Sequence, residues 1–199
     1  ISSASPIKVY ALNYQFNSTD GTYILPYKNL GAKYVVTTYV DPLPFTPAYA
    51  QPRSMFTILA TTDNTLISVS LSADTDAGVK ADSTILITLN KGEVYPVISG
   101  ERATNYPPPP NVPYLDPQSP NSQADLTGTL VESLDPCKKI AVFSGSPATI
   151  VYFNAQDHLY EQSIPIDKKS VLIGKEYIMV PHIDRLSKYR VLAIEDNTK

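Results

Sequence analysis

The chain has 199 residues, of which 43% are hydrophobic and 18% are charged, and its formal net charge is −3. This acidic balance argues against a nucleic-acid-binding protein, which needs a dense basic face. No apolar run approaches the roughly 18 to 20 residues that cross a bilayer. A single cysteine, Cys137, excludes an internal disulfide, so packing alone has to stabilise the chain.

Short runs of alternating apolar residues recur along the chain and predict β-strands. The clearest are 66–71 and 85–89, where every second residue is aliphatic, and no apolar stripe persists at helical spacing. Turn residues separate these runs, as in a sandwich or barrel. The sequence therefore predicts an all-β fold with antiparallel strands at 7–14, 34–40, 55–60, 66–71, 84–89, 94–98, 126–131, 140–143, 177–180 and 189–193.

Three sequence blocks occur twice in the same order. Residues 6–10 match 139–143, residues 30–36 match 173–179, and residues 56–65 match 189–198, while a weaker match sets 20–23 against 157–160. Collinear repeats of this kind indicate a duplicated structural unit. We therefore predict two repeated β-sandwich-like units, 1–100 and 125–199. The second is expected to be truncated, because no counterpart of the 66–71 strand follows, and the chain is expected to be part of a longer protein.

Residues 101–124, between the two predicted units, form a proline-rich linker or loop. Four consecutive prolines follow Tyr106, and further prolines flank Tyr114. Such a run favours an extended polyproline helix without ladder donors. It is interpreted as a stiff spacer or a long surface loop, and the alternative is a docking strip for an aromatic groove on a partner.

Several motifs in order resemble the IgGFc-binding protein N-terminal domain family. They lie at 6–13, 30–31, 125–129, 140–145, 157–162, 190–193 and 196–198. The resemblance implies a secreted, mucus-associated protein of animals or a large surface or secreted protein of Bacteroidota-type bacteria, where adhesion roles are suspected. The family's cysteines are missing from 146–156, and no residue here carries over the antibody binding that gave the family its name.

Asp157, His158 and Glu161 form the only cluster that resembles an acid–base set. A general base has to reach a nucleophile, and the candidates Ser144 and Ser146 lack the Gly-x-Ser-x-Gly elbow. Because Gly21 occupies the position of His158 in the first unit, the fold does not require the histidine. The cluster is interpreted as structural, tying a loop to a strand, and no catalytic residue is predicted.

No cofactor is predicted, although calcium remains an alternative. His158 and His182 lie far apart without cysteines, which argues against zinc. Asp63-Asn64-Thr65 is read as a tight hairpin turn, because Asp and Asn tolerate left-handed geometry. The nearby Asp74-Thr75-Asp76 adds the carboxylates that leave calcium open.

Tyrosines within proline-rich loops are the predicted partner contacts: Tyr49, Tyr106 and Tyr114. Tyrosine is enriched in binding surfaces, and these three are hard to place in a core. The leading hypothesis is a non-enzymatic adhesion module of a larger secreted or cell-surface protein that contacts an extracellular glycoprotein, glycan or protein. The alternative is a self-associating structural subunit. A glycan-active enzyme is a third class, for which no facing carboxylate pair is identifiable.

Overall fold

The computed structural model describes residues 1–16, 18–40, 53–100, 125–150, 156–167, 172–181, 187, 189–195 and 198. Across these ranges there is one 3₁₀ turn, Tyr27–Asn29, and no helix long and apolar enough to span a membrane. The strands of the described residues are β1 Val9–Gln15, β2 Ser18–Ile24, β3 Lys33–Val35, β4 Arg53–Ala60, β5 Thr65–Ser70, β6 Thr84–Leu89, β7 Val94–Ile98, β8 Leu130–Ser133, β9 Ile140–Ile150 and β10 Gln156–Gln162.

The strands form two four-stranded antiparallel sheets and one hairpin. One sheet has the order β10-β9-β4-β7 and the other β3-β8-β5-β6, while β1 and β2 make the hairpin. In β4 the side chains alternate between half-buried and buried, as expected for a strand with one face in a core. The prediction of an all-β, antiparallel, sandwich-like fold is confirmed.

The hydrophobic core takes side chains from both four-stranded sheets. Phe56, Ile58 and Val142 of the first sheet and Ile67 and Val131 of the second are fully buried in one cluster. Burying an aliphatic or aromatic side chain of this size contributes about 1.5 to 3 kcal/mol to folding. This core is the source of stability in a chain that has no internal disulfide.

Strands from both predicted units share the two sheets. Strand β8 pairs with β3 and β5, and strand β9 pairs along β4, with Ile58 opposite Val142 and Ala60 opposite Ile140. The division of the chain into units 1–100 and 125–199 stays a prediction.

The β1–β2 hairpin lies beside β10, joined to it by polar side chains. The Tyr160 backbone N–H donates to the Asp20 carboxylate at 2.7 Å, and the Gln162 backbone N–H donates to the Thr22 hydroxyl at 3.0 Å. The Gln162 side-chain oxygen in turn accepts from the Leu25 backbone N–H at 2.7 Å. These contacts hold the hairpin against the edge of the first sheet.

Two of the predicted strands are wrong in their assignment. Residues 177–180 and 189–193 lie outside any strand and are mostly exposed, although their sequence alternates like a strand. The turn predicted at Asn64 is present, with a left-handed φ of 52°. It is not a hairpin turn, however, because it connects β4 and β5, which belong to different sheets.

Candidate binding surface at the bases of two proline-rich segments

Two Pro/Tyr-rich segments, 41–52 and 101–124, leave and re-enter the described structure at one end of the sandwich. Both segments lie outside the described residues, and so do the predicted contacts Tyr49, Tyr106 and Tyr114. Their flanking residues are described, and the hydrogen bonds among these flanks fix where each segment begins and ends. We call these flanks, Thr38, Ser54, Ser99 and 125–127, the loop-base platform.

Three of the four segment ends meet at Ser54. The Ser54 backbone N–H donates to the Ser99 hydroxyl at 3.0 Å, and the Leu126 backbone N–H donates to the Ser54 hydroxyl at 2.8 Å. The Ser99 backbone N–H also donates to the Ser54 carbonyl oxygen at 2.9 Å. All three residues are fully buried. A buried polar group left without a partner costs about 1 to 3 kcal/mol, so this bonding fixes the three ends together.

The remaining end is held by Asp125. Its carboxylate accepts from the Thr38 hydroxyl at 2.6 Å, from the Thr127 hydroxyl at 2.7 Å and from an Arg190 guanidinium nitrogen at 2.8 Å. Burial acts to raise the pKa of Asp125, but the hydrogen bonds from Arg190, Thr38 and Thr127 outweigh it and hold the pKa below its ordinary value. Asp125 is therefore an anionic centre that binds Thr38, just before the first segment, to the end of the second.

Arg190 adds a cation to this platform from a distant part of the chain. Its guanidinium also donates to the Thr38 carbonyl oxygen and to the Thr127 hydroxyl, and it lies 5.5 Å from the centre of the Tyr39 ring. The sequence did not predict the contacts of Arg190 with the platform, because they join residues more than sixty positions apart. The Arg190 guanidinium, the Asp125 carboxylate and the Tyr39 ring thus lie together where the two segments begin and end.

Asp157 and His158 come together with Ser18 of the neighbouring hairpin. The Ser18 hydroxyl lies 2.5 Å from an Asp157 carboxylate oxygen and 2.6 Å from His158 Nδ1. Desolvation acts to raise the pKa of Asp157, but the hydrogen bonds from Ser18 and the His158 backbone N–H outweigh it and hold the pKa below its ordinary value. The arrangement ties β10 to β2.

This trio does not have the order of a catalytic triad. A triad places the imidazole between hydroxyl and carboxylate, one on each ring nitrogen. Here both groups lie at Nδ1, and His158 Nε2 is buried without a partner among the described residues. The Ser18 hydroxyl and the Asp157 carboxylate therefore lie on the same side of the imidazole ring, and no carboxylate among the described residues binds the opposite nitrogen, Nε2.

The other members of the predicted acid–base set are not joined to this trio. Glu161 has no described hydrogen bond to Asp157 or His158, and partial desolvation and the charge of Asp20 raise its pKa. Ser144 lies 2.9 Å from the Ser163 hydroxyl, and Ser146 donates to the Arg53 carbonyl oxygen at 2.5 Å. Both serines are thus occupied in structural bonding.

A family model described as IgGFc binding protein matches residues 20–199, nearly the whole chain. The chain belongs to the IgGFc-binding protein family. The resemblance drawn from the sequence motifs is confirmed. The comparison with curated proteins and the comparison with solved structures each found no match.

The matched region of this IgGFc-binding family chain contains the complete loop-base platform. It begins at Asp20 within β2 and includes both four-stranded sheets. Membership of a family described by binding supports a binding module in general terms. It does not name a partner for this chain.

The carboxylates considered for calcium in this IgGFc-binding family chain have protein partners. Asp74 binds the Lys80 ammonium at 2.6 Å and the Ala81 backbone N–H at 2.9 Å, and Asp76 lies 3.8 Å from Arg53. Over the described ranges, no group of three or more His, Cys, Asp or Glu side chains is placed to hold a metal ion. His182 lies outside these ranges, and the calcium alternative stays a prediction.

Proposed function

We propose that this chain is a non-enzymatic binding module of a secreted or cell-surface protein. It contacts an extracellular glycoprotein, glycan or protein through the Pro/Tyr-rich segments 41–52 and 101–124. The observation that carries the proposal is the convergence of all four segment ends on the loop-base platform. Family membership supports binding as the general activity.

A rigid sandwich that displays loops from one end suits recognition. Binding residues concentrate on loops that a scaffold positions, and the buried Ser54–Ser99–Leu126 bonding provides such a scaffold. Tyrosine offers a large, flat contact area with little conformational entropy to lose. Tyr49, Tyr106 and Tyr114 are the proposed anchors because each belongs to one of the two segments that start from this platform.

The geometry of the polar cluster favours binding over catalysis. Ser18 and Asp157 share one nitrogen of His158, and Glu161 is separate from them. In a catalytic triad the orienting carboxylate binds the ring nitrogen opposite the one that faces the nucleophile, whereas Asp157 lies on the Ser18 side of the ring, 3.3 Å from Nδ1. We therefore assign these residues to the attachment of β2 to β10.

The test is a binding screen of the purified chain against immobilised antibody Fc, mucin and polysaccharides. We expect binding to one of these, reduced at least about tenfold in affinity by Tyr106→Ala combined with Tyr114→Ala, because each anchor truncation costs about 1 to 2 kcal/mol. The matched control is Tyr14→Ala, an exposed tyrosine on β1. If the control weakens binding as much as the double variant while both remain folded, the proposed contact surface is wrong.

A further inference from the structure

A groove of about 310 Å³ lies on the outer face of the first sheet. Phe56 is buried in the core, so its neighbour Met55 lies on this outer face. Met55 is opposite Gly145 in the strand pairing, and Gly145 is opposite Tyr160. Because Gly145 has no side chain, this row of three residues is hollow at its middle. Asn13 of β1 also lines the groove, which places the hairpin at one side of it.

Aromatic and aliphatic side chains form an apolar wall of the groove. The rings of Phe143 and Tyr160 are stacked, with their centres 5.4 Å apart and an interplanar angle of 5°. Met55 and Leu159 line the groove beside them. The face of an aromatic ring carries partial negative charge, which attracts the weakly positive C–H groups of a ligand. The wall therefore suits a ligand with a flat face of C–H groups.

The matching aromatic pair of the β1–β2 hairpin lacks this arrangement. Tyr10 and Tyr23 correspond to Phe143 and Tyr160 in the sequence repeat, but their rings meet at 63° and both are exposed. Phe143 and Tyr160 are half-buried. Parallel stacking is thus not a general property of the repeat, and it occurs where the two rings line the groove.

Polar groups line the same groove: Asn13, Thr57 and His158. The Ser18 hydroxyl donates to Asp157 at 2.5 Å, so its oxygen accepts from His158 Nδ1 at 2.6 Å. The ring proton is therefore on Nδ1, and Nε2 is an acceptor. This nitrogen is buried without a hydrogen-bond partner among the described residues, whereas buried polar atoms normally have one. A ligand hydroxyl that reaches Nε2 from the groove supplies that partner.

The size and charge of the groove narrow the class of ligand. A cavity of about 150 Å³ holds one benzene ring, so this groove has room for a single six-membered ring with its substituents. None of the described residues that line it is Asp, Glu, Lys or Arg, so a charged ligand would meet no counter-charge. A purely apolar ring would leave His158 Nε2 unpaired. A pyranose has a face of C–H groups and hydroxyl groups around its edge, so it satisfies both walls.

We propose that this groove binds one neutral pyranose residue of a glycan. The C–H face of the sugar packs on the stacked rings of Phe143 and Tyr160, and one of its hydroxyl groups donates to His158 Nε2. Asn13 and Pro147 are exposed, so the groove is open to solvent and the sugar can belong to a larger glycan. The site shares no residue with the loop-base platform or with the two Pro/Tyr-rich segments, so it goes beyond the proposed function.

The test is an NMR titration of the purified chain with the methyl pyranosides of glucose, galactose, mannose, N-acetylglucosamine and fucose. We expect at least one to bind with a Kd of about 1 mM or tighter, as a single-ring ligand does. The amide signals of Gly145 and Tyr160 should shift, and those of Ile67 and Val131 in the second sheet should not. Phenol is the control ligand, because it is a neutral ring with one hydroxyl group, and it should bind more weakly.

Two variants test the position of the site. Thr57→Trp fills the groove and should weaken binding at least about tenfold, and it should keep the unfolding midpoint because tryptophan suits a strand. Thr88→Trp is the matched control, since it makes the same change at an exposed position of β6 in the other sheet. Asn13→Ala, at an exposed position, removes one polar contact and should weaken binding about threefold to tenfold.

Three results would overturn the proposal. No pyranoside could bind at concentrations about tenfold above the expected Kd. Phenol could bind as tightly as the best pyranoside, which would make this a site for apolar rings. Thr57→Trp, or Asn13→Ala where Thr57→Trp fails to fold, could keep the wild-type affinity, which would place the sugar elsewhere.

The outcome is separable from that of the proposed function. Tyr106→Ala combined with Tyr114→Ala should bind the pyranoside as the wild type does. Failure of the groove and failure of the proposed contact surface are therefore read from different variants, and loss of pyranoside binding in this double variant would also contradict the groove as the site.

Discussion

Tyr34 shows how a single buried hydroxyl can join two distant parts of this chain. Its ring is fully buried in the core, its oxygen accepts from the Gly31 N–H, and its proton goes to the Ile140 carbonyl oxygen. Burial raises the pKa of Tyr34 to about 12; the Gly31 hydrogen bond opposes this rise and the charge of Asp167 adds to it. The hydroxyl is therefore neutral and donating throughout the ordinary pH range.

Tyr34→Phe should lower the free energy of unfolding by about 1 to 3 kcal/mol, because it leaves a buried N–H and a buried carbonyl oxygen unpaired. The pKa in the folded state is above that of the unfolded chain. The contribution of the Tyr34 hydroxyl to the free energy of unfolding is thus complete below about pH 10 and is lost as the pH rises towards 12. Urea unfolding at pH 8 and pH 11 measures both effects.

The wild-type chain should lose more stability than Tyr34→Phe between these two pH values. Tyr14→Phe, on an exposed tyrosine, is the control and should follow the wild type at both. An equal alkaline loss in all three proteins would contradict the assigned role of the Tyr34 hydroxyl.

At the scale of strands, the β9–β10 pair depends on Gly145. A Cβ built on this residue would lie 1.8 Å from the Leu159 carbonyl oxygen and 2.5 Å from the carbonyl carbon. These are backbone atoms of the facing strand, so the clash cannot be relieved by a side-chain rotation. Only glycine allows β10 to approach β9 this closely.

Gly145→Ala should therefore lower the free energy of unfolding by at least about 3 kcal/mol. Destabilisation of this size is expected because the added Cβ overpacks the contact and forces the two backbones apart. Gly78→Ala is the control: its Cβ meets open space, and only its φ of 84° opposes the change, at a cost of about 1 kcal/mol. Thermal unfolding of the two variants compares them directly. Similar midpoints would show that β10 can move away from β9 at little cost.

The sequence pattern predicted some strands well and missed others for a physical reason. Strands β6 and β7 were placed residue for residue, because alternation reports which side of a strand faces a core. Strands β2 and β10 were missed because they are polar and are joined by side-chain hydrogen bonds, such as that from Tyr160 to Asp20. Alternation also cannot report whether a partner strand exists, which is why residues 177–180 and 189–193 were predicted as strands.

The candidate site was predictable only in part. Proline and tyrosine content marked segments 41–52 and 101–124 as loops, but nothing in the sequence places their ends together. That placement comes from Ser54, Ser99 and Asp125, whose partners are distant in the chain. Arg190 is a further example, since its contacts depend on how the C-terminal residues meet the platform.

On the scale of the whole molecule, the proposed function gives the sandwich the role of a scaffold and the two Pro/Tyr-rich segments the role of contact surface. The described core is closed by contacts between the two four-stranded sheets. The ends of segment 101–124 are held close together through Ser54, to which both Ser99 and Leu126 are bonded. The folded state therefore gains little from a long connection at this point, and a short one can join the same two ends.

Replacing residues 102–123 with a flexible linker of about six residues should leave the fold intact. The shorter loop should raise the free energy of unfolding by about 1 kcal/mol, since closing a loop costs entropy that grows with the logarithm of its length. Denaturant unfolding measures this change, and the same protein should lose binding to whichever of Fc, mucin or polysaccharide the intact chain retains.

A matched linker of the original length, with Tyr106 and Tyr114 absent, separates loop length from contact chemistry. Loss of the cooperative unfolding transition in both proteins would show that the segment belongs to the core, and a stable protein that still binds would move the contact surface elsewhere.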